Sequence, residues 1–219
     1  MRCSIGLVIG AAVVLSACAS TYRVSPLVAD NQIQVVAPSG EAVRSSKKHV
    51  VEVGVVRTNM RQFDNPRFTV RFTNQGKDPL EFSTENVTAS FNGRPATVVS
   101  YEAQLQDVQN RLSFYGLRAP VFYTPFRSPF YYPPFGGHHG GFVIAQDFND
   151  RLDVQQALAD FDYIQQFSLK PKVVRPGQET FGEIVVGAKL GASSSQDMVV
   201  TVDVDGEQHS FTFGYDQLN

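Results

Sequence analysis

The sequence contains no tryptophan, only two cysteines and no surplus of basic charge. Each scarcity excludes something. Both cysteines, Cys3 and Cys18, lie at the amino-terminal end, which rules out a disulfide-rich scaffold and a cysteine-based zinc fold. Nineteen Lys and Arg stand against 21 Asp and Glu, so the electrostatic footprint of a nucleic-acid binder is missing and nucleic acid is not expected as a partner. Charged residues make up 18% of the chain, below the ~25% of ordinary globular proteins. No Gly-x-Ser-x-Gly elbow, phosphate-binding glycine loop or His-Glu-x-x-His motif occurs, and no Cys nucleophile lies outside the amino-terminal segment. The expectation is a protein without a catalytic residue set, cofactor or metal. A periplasmic enzyme whose site assembles only in space is the alternative.

What is present begins with a targeting pattern. Arg2 precedes an apolar run at residues 5–15, followed by small residues. This is the layout of a secretory signal, and the run is too short to span a ~30 Å hydrocarbon core as a helix. It ends in Leu15-Ser16-Ala17-Cys18, which resembles the lipobox of bacterial lipoproteins. The resemblance implies cleavage between Ala17 and Cys18, diacylglycerol on the Cys18 thiol and an acylated new amino terminus. Two or more acyl chains give stable membrane anchoring where one does not. Ala19 follows, where Asp would imply retention at the inner membrane in Gram-negative lipoproteins, so the resemblance points to the outer membrane. With residues 1–17 removed, the folded part would hold no free thiol, which suits an oxidising envelope.

Residues 18–48 are mixed and polar and read as the lipidated Cys and a tether, with Gln32 to Val36 as a possible extra edge strand. Beyond them the hydrophobic period becomes two. Val51, Val53 and Val55 alternate with polar or small residues. Phe68, Val70 and Phe72 oppose Arg67, Thr69, Arg71 and Thr73. Val87, Ala89 and Phe91 lead into Asn92-Gly93, a hairpin turn that tolerates positive φ. Near the carboxyl end Met198, Val200, Val202 and Val204 reach Asp205-Gly206, and His209, Phe211, Phe213 and Tyr215 return. Seven or eight such strands predict a mainly β chain: an antiparallel, immunoglobulin-like sandwich built from 49–101 and 170–219, about the size of one such domain.

The halves are separated by 102–169, which does not alternate. Tyr101, Leu105, Val108 and Leu112 recur at helical spacing, as do Phe148 and Leu152, and then Val154, Leu158 and Phe161. The expected insertion is a helical hairpin, with Asp147 or Asn149 as a cap and Asp150, Asp153, Asp160 and Asp162 on its wet side. This split layout, with Leu169-Lys170-Pro171 and Arg175-Pro176-Gly177-Gln178 before a Gly-Glu-Ile-Val strand, resembles a group of uncharacterised bacterial envelope lipoproteins.

The tip of the insertion, 113–146, is rich in aromatics, Pro and Gly. Over 22 residues it carries nine rings: Phe114, Tyr115, Phe122, Tyr123, Phe126, Phe130, Tyr131, Tyr132 and Phe135. Prolines at that density oppose helix and central strand. Ordinary disordered segments are poor in aromatics, so this is no neutral linker. Three readings stay open: a lid folded over the sandwich, a recognition surface for an envelope protein or glycan, and a segment dipping into the membrane interface. The candidate interaction residues are Phe122, Tyr123, Phe126, Phe130, Tyr131, Tyr132 and Phe135.

Other candidates have plainer explanations. His138-His139 in a glycine-rich loop lacks two further metal ligands, and His49 and His209 fall on predicted strands, where they would pair if those strands were neighbours and otherwise read as satisfied histidines of the sandwich. Asp203-Val204-Asp205-Gly206-Glu207 lacks the spacing of a calcium loop and reads as a hairpin, and Asn86-Val87-Thr88 is a sequon by letters only. The functional expectation is a lipid-anchored binding or scaffold module of the cell envelope, with a membrane-interface-active protein as a further alternative.

Overall fold

The computed structural model describes the backbone of residues 20–37, 40–114, 147–188 and 195–218, and their side chains except those of 147–151 and 195. Among the described residues the elements are β1 (Thr21–Leu27), β2 (Gln32–Ala37), β3 (Gly40–Ser46), β4 (Val50–Val55), β5 (Asn59–Arg61), β6 (Arg67–Thr73), β7 (Leu80–Phe82), β8 (Val87–Phe91) and β9 (Arg94–Val99). They continue with α1 (Tyr101–Phe114), α2 (Asp147–Phe167), β10 (Lys172–Val174), β11 (Glu179–Gly187), β12 (Ser195–Val204) and β13 (Glu207–Leu218).

Eleven of these strands form one antiparallel sheet in the order β2-β3-β4-β6-β11-β9-β8-β12-β13-β1-β5, and β7 pairs with β10 apart from it. The sheet curls at β9, whose Thr97–Val99 half pairs with β11 while its Arg94–Ala96 half pairs with β8. One strand thus serves two layers, β2-β3-β4-β6-β11 and β8-β12-β13-β1-β5. Their inner faces meet in one core, where Phe68 of β6 packs on Phe213 of β13 with ring centroids 4.8 Å apart. The mainly β, antiparallel sandwich with an inserted helical hairpin is the fold that the alternation predicts, with the two layers joined through β9.

Local chemistry explains the strongest elements. In β6 the buried face is Phe68, Val70 and Phe72, and the half-exposed face is Arg67, Thr69, Arg71 and Thr73, a strict period of two. In β12 and β13 the expected faces, Met198 to Val204 and His209 to Tyr215, are all buried. Asn92 (φ 50°) with Gly93 (φ 73°), and Asp205 (φ 52°) with Gly206 (φ 77°), make the two tight hairpins. Both pairs adopt the positive φ that hairpin turns matching strand twist require. Asn86 is occupied structurally: its side-chain oxygen accepts from Ser83 N at 2.9 Å and its amide donates to Asp203 O at 3.1 Å.

The amino-terminal reading needs correction. Residues 21–46, expected within a tether, form three strands. β2 is indeed an edge strand, but β1 lies between β13 and β5 with Tyr22 and Val24 in the core, and β3 joins β4 with Val43 buried. β1 gains its burial only beside β13, distant in sequence, and β3 has just Ala42 and Val43 to bury beside β4, so neither carries the extended alternation that marks a strand.

The helices occupy the expected places, but the buried face of α2 differs. Val108 and Leu112 of α1 pack on Ala157, Phe161 and Ile164 of α2, flanked by Tyr101, Leu105 and Val154, as a small core of their own. Leu152 and Leu158, assigned to the apolar stripe, are 51% and 43% exposed. The stripe that meets α1 follows Val154, Ala157, Phe161 and Ile164, and a single partner helix covers only that face. The side chains of Asp147, Phe148, Asn149 and Asp150 lie outside the described residues.

Candidate functional site

Of the residues singled out in the sequence, Ala17, Cys18, Phe122, Tyr123, Phe126, Phe130, Tyr131, Tyr132, Phe135, His138 and His139 lie outside the described residues. The structure describes what supports them. α1 ends at Phe114 and α2 begins at Asp147, so the aromatic segment leaves from the open end of the helical hairpin. Arg111, in the last turn of α1, holds Asp160 at 2.9 Å and so ties the end of α1 to the middle of α2, while Asp107, one turn back in the same helix, steadies it at 3.3 Å.

The hairpin is fixed to the sandwich at its other end. Ser168 bridges to Glu183 on β11, Leu169 N donates to Glu183 O at 2.9 Å, and the Leu169 side chain enters the sandwich core. Gly182 makes this possible, because a Cβ there would stand 2.4 Å from the Cα of Leu169. The close approach, and no unusual φ, demands the glycine.

Beside this junction lies a polar node. The Tyr163 hydroxyl of α2 reaches both carboxylate oxygens of Glu183, at 2.9 and 2.7 Å, and Arg67 lies over the Tyr163 ring at 5.2 Å. Glu183 is only 9% exposed. Burial first, and the Glu183 carboxylate second, push the Tyr163 phenol above its ordinary pKa, so it stays a donor. Two grooves open from the node. One, of about 540 Å³, runs between α2 and the loop around Phe63 and Asp64, and is lined by Arg57, Arg67, Gln156, Asp160 and Tyr163 among others. The second, of about 400 Å³, lies on the outer face of β4, β6 and β11 below Phe167 and Phe181. It is walled by ion pairs: Glu52 meets Arg44 at 2.6 Å and Arg71 at 3.8 Å, and Arg71 meets Glu179 at 3.6 Å. These side chains hold one another across the outer face of the sheet.

His49 and His209 meet the sandwich end differently from either sequence reading. β4, which His49 precedes, and β13, which carries His209, belong to opposite layers and do not pair. Both rings are buried instead beneath a docking of turns. Lys48 N and His49 N donate to the Glu207 carboxylate at 3.0 and 3.1 Å, and Lys48 pairs with Asp205. His209 Nδ1 shares a hydrogen bond with Ser45 Oγ at 3.0 Å, while His209 Nε2 and both His49 ring nitrogens have no hydrogen-bond partner. Burial, with Lys47 next, holds His209 below its ordinary pKa, so the ring is kept neutral. Among the described residues no group of three His, Cys, Asp or Glu is arranged to hold a metal, and no helix is long and apolar enough to cross a membrane.

Comparison of the chain with family models, with curated proteins and with solved structures finds no match.

Proposed function

We propose that the protein is a lipid-anchored, non-catalytic binding or scaffold module of the bacterial cell envelope. Residues 1–17 are its signal, Cys18 carries the lipid, and Ala19 directs it to the outer membrane. The aromatic segment on the helical hairpin is its interaction surface for an envelope protein or glycan.

One observation supports this reading above the others. The sandwich core among the described residues is built from strands together with Ala188 and Leu169, and none of its members comes from α1 or α2. The hairpin has a separate core. A sandwich core that takes nothing from either helix favours a segment displayed for contact. Rings such as Phe130 and Tyr131 supply contact area at small entropy cost.

The experiment is deletion of 115–146, replaced by a short Gly-Ser link between α1 and α2. The expected result is an unchanged melting temperature with loss of cross-linking to envelope partners or glycan. A truncated protein that aggregates or melts far lower would establish the lid instead, since each buried ring removed costs ~1.5–3 kcal/mol.

A further inference from the structure

The strand β1 begins only three residues after Cys18. Ser20 itself is already fixed: its carbonyl accepts from Gln62 N at 3.0 Å, and its hydroxyl accepts from the Gln217 side chain at 3.0 Å. Two peptide steps, at most about 7 Å, separate a lipid on Cys18 from this residue. A lipid on Cys18 would therefore hold the sandwich against its anchor, with the surroundings of Ser20 facing the lipid headgroups.

Around Ser20 stands a turn with a distinctive composition. Gln62 is in the turn from Arg61 to Asp64, closed by Asp64 N donating to Arg61 O at 3.0 Å and by Arg61 N donating to Asp64 Oδ2 at 3.0 Å. Phe63 is at its tip, 77% exposed. Behind the turn, β5 pairs with β1, and Met60 and Tyr22 are buried in the core, so the ring is presented on a rigid base. Arg57 and Arg61 flank it, lining with Thr21 and Asp64 a hollow of about 390 Å³. No ion pair engages either guanidinium among the described residues, in contrast to Arg44, Arg67, Arg71 and Arg111. Arg23, on the neighbouring strand, stands opposite Asp216 in the register.

We infer that this turn is a second membrane contact: Phe63 enters the interface of the lipid layer that carries the Cys18 anchor, and Arg57 and Arg61 meet anionic phospholipid headgroups. The inference rests on the proposed lipidation of Cys18. An exposed aromatic ring is favoured at headgroup depth. Each basic residue at an anionic surface adds a favourable, salt-screened attraction within a Debye length. Together with the acyl chains, the contact fixes how the sandwich is oriented, which a lipid alone does not do.

The test uses the full acylated chain in phosphatidylcholine–phosphatidylglycerol vesicles containing lipids with brominated acyl chains. Because the chain has no tryptophan, Phe63→Trp introduces its sole indole, and Phe181→Trp is the comparison at a ring of similar exposure on the outer face of the other layer. Bromolipid quenching is expected to be severalfold greater for Phe63→Trp. Adding Arg57→Gln and Arg61→Gln should lower the membrane-contact equilibrium about fivefold per arginine. Equal quenching at 63 and 181, in protein whose mass shows acylated Cys18, overturns the contact and leaves the anchor standing. A mass showing unmodified Cys18 overturns the anchor and the contact with it.

Discussion

Replacing Gly182 by Ala tests how the helical hairpin is joined to the sandwich. Gly182 pairs with Val70 in the middle of β11, and the chain leaving α2 lies directly on it. An added Cβ would stand 2.4 Å from Leu169 Cα, 2.5 Å from Leu169 N and 2.9 Å from Ser168 C. Carbon atoms at rest need about 3.5–4.0 Å, so residues 168–169 must retreat by roughly 1 Å. That retreat strains the Leu169 N to Glu183 O hydrogen bond, now 2.9 Å, and draws the buried Leu169 side chain from the core. A buried backbone group left unpaired costs ~1–3 kcal/mol. Overpacking costs a further ~1–3 kcal/mol. Against these, Ala lowers the entropy of the unfolded chain and contributes ~0.4–1 kcal/mol in the opposite direction. The expected net loss is therefore about 3 kcal/mol. Urea unfolding with an unchanged slope would read it as a shift of the midpoint. A companion substitution makes the result decisive. The obstructing atoms are backbone, so Leu169→Ala cannot relieve them, and the double variant should be less stable than either single one. A Gly182→Ala protein as stable as its parent, or one restored by Leu169→Ala, would refute the docking of the hairpin on β11.

Other outcomes follow from single contacts. Phe72→Ala, removing a fully buried ring stacked on Phe82 at 4.6 Å, should cost about 3–5 kcal/mol by urea unfolding; under 1 kcal/mol would break the assigned register of β6. Tyr163→Phe should destabilise by about 1–2 kcal/mol, because the half-buried phenol is the donor to Glu183; an unchanged midpoint would mean that solvent already serves that carboxylate. His209 has a folded-state pKa below its unfolded value, so the unfolded chain binds the proton more tightly. Its contribution should be intact above pH ~6.5 and lost as pH falls from there toward the folded-state pKa, and His209→Gln should flatten that part of a stability–pH profile. A profile equally steep in His209→Gln would assign the loss elsewhere.

What could be read from residues in order was whatever is decided locally. The face of β6 is legible because Phe68, Val70 and Phe72 alternate with Arg and Thr, and side chains of a strand must point alternately to opposite sides. Asn92-Gly93 and Asp205-Gly206 announce their hairpins because those residues accept positive φ. The helices over Tyr101–Phe114 and Asp147–Phe167 were legible from spacing, and so was the separation of the sandwich halves. The amino-terminal pattern ending in Cys18 is likewise a property of sequence alone.

Tertiary structure decided the rest, because burial is a relation between distant segments. β1 and β3 carry two or three apolar residues each, too few to distinguish a strand from a linker until β13, β5 and β4 are placed beside them. Leu152 and Leu158 share a helix with Phe161, yet only a partner's position settles which stripe is covered. The Tyr163–Glu183–Arg67 node joins a helix to two strands, and no spacing along the chain foretells it. His49 and His209 come near one sandwich end through Glu207, although their strands never pair. The turn bearing Phe63 lies beside Ser20 only because β5 pairs with β1. That long-range hydrogen-bond register places an exposed ring and two unpaired guanidinia next to the residue that follows Ala19.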